Sequence, residues 1–220
     1  MLLDVGCGPG SLLAEATRRG WTASGIETSL AQVEHCRANG HAAEHVADFT
    51  ATRDDGRRYD AVVFDHVLEH VPAPVAYLKK AFELAKSEGY VLIGVPNYAS
   101  LSARAFGPYW MHLDPPRHLY HFTPKTLATC VAKAGGRVVG IETGDGEDNA
   151  AGARESLRRW IIHGIAGRPA KPGKAATCDA PPKPSLMQRL FDAYGVVASQ
   201  IGNGLGMPDT IIAVARREAA

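Results

Sequence analysis

Short apolar runs recur along the chain at residues 2–6, 22–27, 43–47, 59–64, 90–95, 137–141 and 210–215. They are continuous rather than alternating, which predicts strands buried on both faces of a sheet. The stretches between them predict helices. Ser29 and Gln32 have capping-box spacing, and Thr123-Pro124 places a cap and a first-turn proline at the start of a later helix. Alternating strand and helix implies right-handed crossovers and an α/β fold, a doubly wound, mostly parallel seven-stranded sheet with ligands at the carboxyl ends of its strands.

The pattern changes before the last strand. Leu157, Trp160, Ile161 and Ile165 form one apolar helical stripe, and Leu186, Leu190, Phe191, Tyr194, Val197 and Ile201 form a second. Between them, residues 168–185 are rich in Pro, Lys and Ala and read as a mobile loop. The expected organisation is a core over residues 1–146, a helical insertion over 147–208 and a final strand within 209–220. From Arg154 to Arg189 the insertion carries eight basic side chains against Glu155 and Asp179. A solvated face on two helices is the favoured reading of that charge, ahead of a patch for an anionic substrate or a membrane surface.

Composition narrows the class. With 220 residues and 45% hydrophobic content, the chain suits one large domain with an appendage. A formal charge of +1 gives no global field for nucleic acid. Cys7, Cys36, Cys130 and Cys178 show no paired metal spacing, and a chain of this size needs no disulfide staples. With no apolar run of membrane-span length, and with Asp4 interrupting the first residues, a cytoplasmic location is expected.

The sharpest chemical signal is Leu-Leu-Asp-Val-Gly-Cys-Gly-Pro-Gly at residues 2–10, an apolar strand entering three alternate glycines, followed by Glu27 at the end of the next apolar run. Glycines let the chain turn and let a ligand approach the backbone, while a carboxylate ending the neighbouring strand can accept bonds from both ribose hydroxyls. The dinucleotide fingerprint G-x-G-x-x-G fails in both registers, because its third glycine falls on Ser11 or Leu13, and no Gly-Lys-Ser/Thr follows to make a P-loop. What remains resembles motif I of class I S-adenosylmethionine (SAM) methyltransferases. That resemblance implies a Rossmann-like methyltransferase fold and a SAM site made by Asp4, Gly6, Gly8, Gly10, Glu27, Asp48, Phe49 and Asp65. In it Asp48 accepts the adenine amino group, Phe49 borders the ring, and the backbone around Asp65 and His66 faces the methionine portion. Cys7 reads as a buried filler. Thr210 to Ala215 would be an edge hairpin partner of the final strands. The family usually carries a helix before motif I, whereas here the strand begins at Leu2; a truncated chain, the basic insertion or a partner could account for the cover.

A second segment, residues 59–74, resembles the post-strand motif of the ubiquinone-biosynthesis O-methyltransferase branch, as does the Val-Pro-Asn ending at Asn97. His66, Glu69 and His70 also spell an inverted zinc-protease motif, which the neighbouring cofactor segment disfavours. Some relatives hold a divalent ion through Glu-x-x-Glu-His here. This chain has His66 for the first Glu, keeps Glu69 and His70, and offers His118 or His121 as a further ligand, a set that leans toward Zn²⁺ or Fe²⁺ over Mg²⁺. Whether a metal binds stays open. Glu69 and His70 otherwise read as residues that fix a helix start. Candidates for a general base are His66, His118 and His121. Residues 97–122, with Tyr98, Phe106, Tyr109, Trp110, Tyr120 and Phe122, are expected to form a substrate lid, with core packing the competing reading for Trp110. The expected activity is methyl transfer from SAM, with S-adenosylhomocysteine as product, to a small-molecule hydroxyl, by a monomer or homodimer. The alternatives are a non-catalytic SAM-binding module and an NAD-dependent oxidoreductase.

Overall fold

All seven apolar runs are strands in the computed structural model, which describes residues 1–53, 55–143, 155–157 and 207–218. In chain order the strands are β1 (Leu2–Val5), β2 (Ala23–Glu27), β3 (Ala42–His45), β4 (Tyr59–Asp65), β5 (Ala85–Pro96), β6 (Gly136–Thr143) and β7 (Thr210–Arg217). The helices are α1 (Ser11–Arg18), α2 (Leu30–Ala38), α3 (Pro74–Leu84), α4 (Leu101–Phe106) and α5 (Pro124–Lys133). One sheet runs in the order β3-β2-β1-β4-β5-β7-β6, and β1 pairs in parallel with both β2 and β4. Because β2 and β3 lie on one side of β1 and β4 on the other, the crossover helices diverge there and open a crevice at the carboxyl ends. The register Val5↔Ile26 and Val5↔Phe64 brings those three ends level.

The described residues form two compact units, one of Met1–Pro96, Leu119–Glu142 and Ile211–Ala220, the other of Asn97–His118 and Thr143–Thr210. In the first, Leu78 and Phe82 of α3 and Leu127 and Val131 of α5 join Val62, Phe64, Val91 and Ile93 in the main core. Truncating a buried Phe such as Phe82 typically costs about 3–5 kcal/mol. The opposite face is packed less completely. Leu2, Ala16 and Ala61 form a small cluster, while Trp21 and Tyr90 stand about 40% exposed.

Three local expectations are corrected. Ser29 is the N-cap of α2, yet its side chain makes no cap bond, so the Ser29–Gln32 capping box does not form; Thr123 and Thr126 do form one at α5. Strand β5 begins at Ala85, five residues before the apolar run, across a register shift between Tyr59 and Ala61 of its partner. The third concerns β7. It lies between β5 and β6 rather than at the edge, and Ala213 and Ala215 are fully buried. The edge is β6, whose Val139 and Ile141 are exposed.

In the second unit α4 is capped by Ser100, whose Oγ accepts from the Ala103 amide at 3.0 Å, and 3₁₀ turns follow at Gly107–Tyr109 and Met111–Leu113. Trp110 is 1% exposed and packs with Ala103 and Phe106, so core packing is its role. The Asn97 amide donates to the Asp209 carbonyl at 2.7 Å and its side chain to the Pro208 carbonyl at 2.8 Å, which ties the approach to β7 to the start of this unit. Leu157 packs against the Trp110 cluster. The other residues of the two apolar stripes, the Pro-rich loop and all eight basic side chains of the patch lie outside the described residues. Among the described residues no helix is long and apolar enough to cross a membrane.

Candidate functional site

The glycine turn leaves β1 with Gly6, Gly8 and Gly10 at φ of 77°, 50° and 88°. A Cβ on Gly6 would lie 2.6 Å from Val67 Cγ2, and one on Gly10 would lie 2.9 Å from Cys36 Sγ. Left-handed φ and the absence of space both require glycine at these two positions. The Gly6 and Cys7 amides donate to the Ile26 carbonyl at 2.7 and 3.1 Å, which fastens the turn to the end of β2. Cys36 Sγ donates to the Gly8 carbonyl at 3.3 Å. Cys7 packs with Leu13 and Cys36, and burial first, then the neighbouring Cys36, pushes its thiol up to about 12. It is a buried filler, protonated at neutral pH.

Glu27 closes β2 with its carboxylate already partly engaged. Oε2 accepts from the Gly8 amide at 3.0 Å, while Oε1 accepts from the Ser29 amide at 2.9 Å and the Thr28 hydroxyl at 3.1 Å. Burial acts upward on its pKa, but the Ser29 and Gly8 amides and Thr28 outweigh it, and the group is held below the usual carboxylate range. A carboxylate offers about four acceptor sites, so one remains and the exposed Thr28 bond is exchangeable. Asp4 behaves oppositely. It is 3% exposed, and burial, reinforced by the charges of Asp65 and Glu27, pushes its carboxyl up to about 7.

A cavity of about 420 Å³ opens at the ends of β1, β2 and β4, lined by Val5, Gly6, Glu27, Phe49, His66 and Tyr77 among others. Its size is within the range of small-molecule sites. Of the sequence candidates, Gly6, Glu27, Phe49 and His66 line it, whereas Asp4, Gly8, Gly10, Asp48 and Asp65 do not. Phe49 is buried, edge-on to Phe64 at 5.7 Å. Asp48 caps the short 3₁₀ turn Phe49–Ala51 by accepting from the Thr50 amide at 2.9 Å, and the Thr50 bonds keep its pKa low. Asp65 ends β4, where Gly94 leaves room for its carboxylate: a Cβ there would lie 2.7 Å from Oδ1. Tyr77 was not singled out in the sequence. It lies on α3, partly buried against the main core, and also lines the cavity.

His66 has left-handed φ of 53°, and its amide donates to the Gly94 carbonyl at 3.0 Å. Its Nδ1 lies 3.1 Å from Glu69 Oε1. In the tautomer that donates from Nδ1, Nε2 is the basic nitrogen, and the Glu69 carboxyl orients the ring. Glu69 is 1% exposed, and its second oxygen, Oε2, is buried with no hydrogen-bond partner among the described residues. Its carbonyl accepts from the Leu119 and Tyr120 amides at 2.7 and 3.2 Å, which anchors the approach to α5. Glu69 and His70 therefore belong to a turn, not to a helix start: α3 begins at Pro74 with Ala73 as N-cap. His70 lines the same cavity as His66.

The other two histidines are placed differently. His121 lines a groove of about 740 Å³ between α3 and α5, with Tyr120, Phe122, Lys79 and Lys133. His118 belongs to the second unit, where its Nδ1 lies 2.7 Å from the His112 carbonyl and its ring stacks on that of His112. Only His66 of the three lines the cavity that holds Gly6 and Glu27.

Comparison with known proteins gives a consistent family. The family described as methyltransferase domain matches residues 1–141. The ubiquinone biosynthesis O-methyltransferase of Alkalilimnicola ehrlichii is 34% identical over 104 residues, 44% of this chain and 41% of that protein. The protein of the same name in Acinetobacter baylyi is 30% identical over 148 residues, 61% of this chain and 62% of its own length. The chain thus spans less than two thirds of the curated relatives it matches. Among solved structures, a SAM dependent methyltransferase from Archaeoglobus fulgidus superposes with a TM-score of 0.61 at 20% identity, covering 98% of this chain and 85% of that one. The [4+2]-cyclase SpnF superposes with a TM-score of 0.60 at 17% identity, covering 100% of this chain and 74% of that one. These two likenesses concern the fold.

Proposed function

The chain belongs to the methyltransferase-domain family, and on that premise we propose that it transfers a methyl group from SAM to a hydroxyl oxygen of a small molecule. The observation that carries this reading is the cavity at the level ends of β1, β2 and β4, with Gly6, Glu27, Phe49 and His66 in its wall. Glu27 is assigned to the ribose hydroxyls, which its remaining acceptor site and the exchangeable Thr28 bond suit. Asp48 and the Phe49 backbone are assigned to the adenine edge, and the Gly6–Gly10 turn to the amino acid portion, with Asp4 and Asp65 as the nearby acids. When bound, SAM supplies an electrophilic methyl group on a sulfonium.

The protein's own part is alignment and one proton. In-line positioning of the acceptor provides most of the rate, and a base is needed only to take the hydroxyl proton. His66 is assigned that role at Nε2, with Glu69 positioning the ring through Nδ1. Calorimetry with S-adenosylhomocysteine and with NAD⁺ tests the cofactor, and transfer of labelled methyl from SAM to phenols, alcohols and amines tests the acceptor. Tight NAD⁺ binding without binding of S-adenosylhomocysteine overturns the reading; cofactor binding without transfer to any acceptor leaves a non-catalytic SAM-binding module.

A second element rests on Glu69. Glu69, whose buried Oε2 has no hydrogen-bond partner among the described residues, and His70 offer ligand atoms within 4.8 Å of each other, a donor pair that fits a divalent ion, and they are residues that would hold it. The mixed oxygen and nitrogen donors favour Zn²⁺ or Fe²⁺ over Mg²⁺. Such an ion would lower the pKa of an acceptor hydroxyl. Turnover unchanged by exhaustive chelation removes it from the mechanism.

A further inference from the structure

A second cavity, of about 410 Å³, lies against β1, β2 and β3 short of the carboxyl ends that form the cofactor cavity. Its floor is set by sheet register. Leu3 pairs with Ser24 and Ser24 with Ala42; Leu3 and Ile26 belong to the main core, so Ser24, two residues before Ile26, faces the same side of the sheet as α3. The β3–β4 connection supplies the other wall. Its described residues hold no α-helix, only the 3₁₀ turn Phe49–Ala51, after which Thr52, Arg53 and Arg57 line the cavity.

Two observations there point to a ligand. Ser24 Oγ and Thr52 Oγ1 are buried with no hydrogen-bond partner among the described residues, although both residues belong to this one cavity. Buried hydroxyls are ordinarily paired, and each can turn to a new partner by rotation about one bond. The second observation is charge. Arg37 is held over β3 by its Nε, which donates to the Ala43 carbonyl at 2.9 Å and leaves the rest of the guanidinium for other acceptors. Arg53 has no ion pair among the described residues. Of the two acids in the wall, Asp55 is taken by Arg57 at 2.5 Å, and Glu44 is the other. Three guanidinium groups therefore line the cavity against two carboxylates. An oxyanion accepts from guanidinium forks and from hydroxyls together, and Leu3, Ile26 and Leu84 offer apolar contact to whatever carries it.

We propose that this cavity is a second binding site, for a small organic anion whose carboxylate or phosphate head meets Arg37, Arg53 and the Ser24 and Thr52 hydroxyls while an apolar body lies on Leu3, Ile26 and Leu84. The site is independent of the cofactor reading. Ile26 lines both cavities, but Gly6, Glu27 and His66 line only the other one.

Isothermal calorimetry on the full chain with benzoate, phenyl phosphate and phenol tests the proposal. Benzoate or phenyl phosphate binds, and the tighter of the two identifies the head group; phenol, which has the body without the charge, does not bind. Arg53→Gln breaks no bond among the described residues and weakens the anion by about tenfold, whereas Thr52→Val weakens it by about threefold, the scales of a charged and of a neutral hydrogen bond. Circular dichroism melts check that both variants fold, and saturating S-adenosylhomocysteine does not displace the anion. Binding of neither anion, equal binding of phenol, or wild-type affinity in either variant overturns the proposal. Displacement by S-adenosylhomocysteine overturns it too, by returning the anion to the cofactor cavity. Titration of S-adenosylhomocysteine alone keeps a failure of the cofactor reading separate.

Discussion

Asp4 on β1 and Glu27 at the end of β2 are neighbours whose carboxyl groups shift in opposite directions, one up to about 7 and the other down. The end of β2 holds its charge on main-chain amides from Gly8 and Ser29. On β1 and at the end of β4 the polar groups face other side chains: Asp4 faces two acids, and His66 faces Glu69. Backbone amides are fixed by the fold and cost nothing to orient, so they stabilise a permanent charge. Side chains facing one another leave protons mobile, which suits a place where a proton must be taken from an acceptor. On the proposed reading, the β2 end would hold the cofactor and the β1–β4 ends would carry the chemistry.

The largest effect that tests this contrast falls on His66. His66→Gln is expected to lower kcat by about 10²–10⁴-fold, the usual range for a general base, while the affinity for S-adenosylhomocysteine stays within about twofold. Equal losses in both would make His66 a structural residue and dissolve the contrast. Asp4 comes next. Its carboxyl titrates near 3.8 when unfolded and about 7 when folded, so the fold favours the protonated form. That stability is fully present below about pH 4, falls as pH rises toward 7 and is flat above, a loss of roughly 4 kcal/mol in all. Asp4→Asn removes this slope, so thermal melts at pH 5 and pH 8 should differ less in the variant than in the wild type. A slope that survives the substitution assigns the pH dependence elsewhere.

Glu27→Gln keeps the shape of the holding site and removes its charge. Affinity for S-adenosylhomocysteine should fall about tenfold to a hundredfold, since bonds to charged groups contribute about 1.5–3 kcal/mol each. The smallest effect is at Thr28→Ala, which deletes one exposed neutral donor and should change affinity by about twofold or less. A larger effect from Thr28 than from Glu27 would mean that the side chains, not the amides, hold the β2 end.

The strands were legible because buried parallel strands are continuous apolar runs, and the local signal survives without knowledge of partners. Its limits are physical too. The first five residues of β5, Ala-Lys-Ser-Glu-Gly, are polar and belong to the sheet only through a shifted register with β4, which no local pattern carries. Strand order is likewise a tertiary property. The small side chains Ala213 and Ala215 were the one hint that β7 is interior, since an edge strand does not need them. Of the residues that line the cavity, Gly6 and Glu27 were legible from motif spacing and Phe49 only through the family resemblance. The upward shift of Asp4 was not, because it arises from burial and from two acids that the fold brings near it. His66, His118 and His121 looked equivalent as letters; the fold puts His66 on the cofactor cavity, His121 on the α3–α5 groove and His118 in the second unit.

The place of β7 between β5 and β6 also bears on how the chain is made. Because β7 follows β5 and β6 in the chain, those two strands lack their shared neighbour until it has been made, so two strand borders are open to the wrong partner. Pairing across such a sequence separation is slow, because the loop must close before any contact rewards it. The sheet is therefore completed only when β7 inserts, and until then its open strand borders are exposed to wrong pairing.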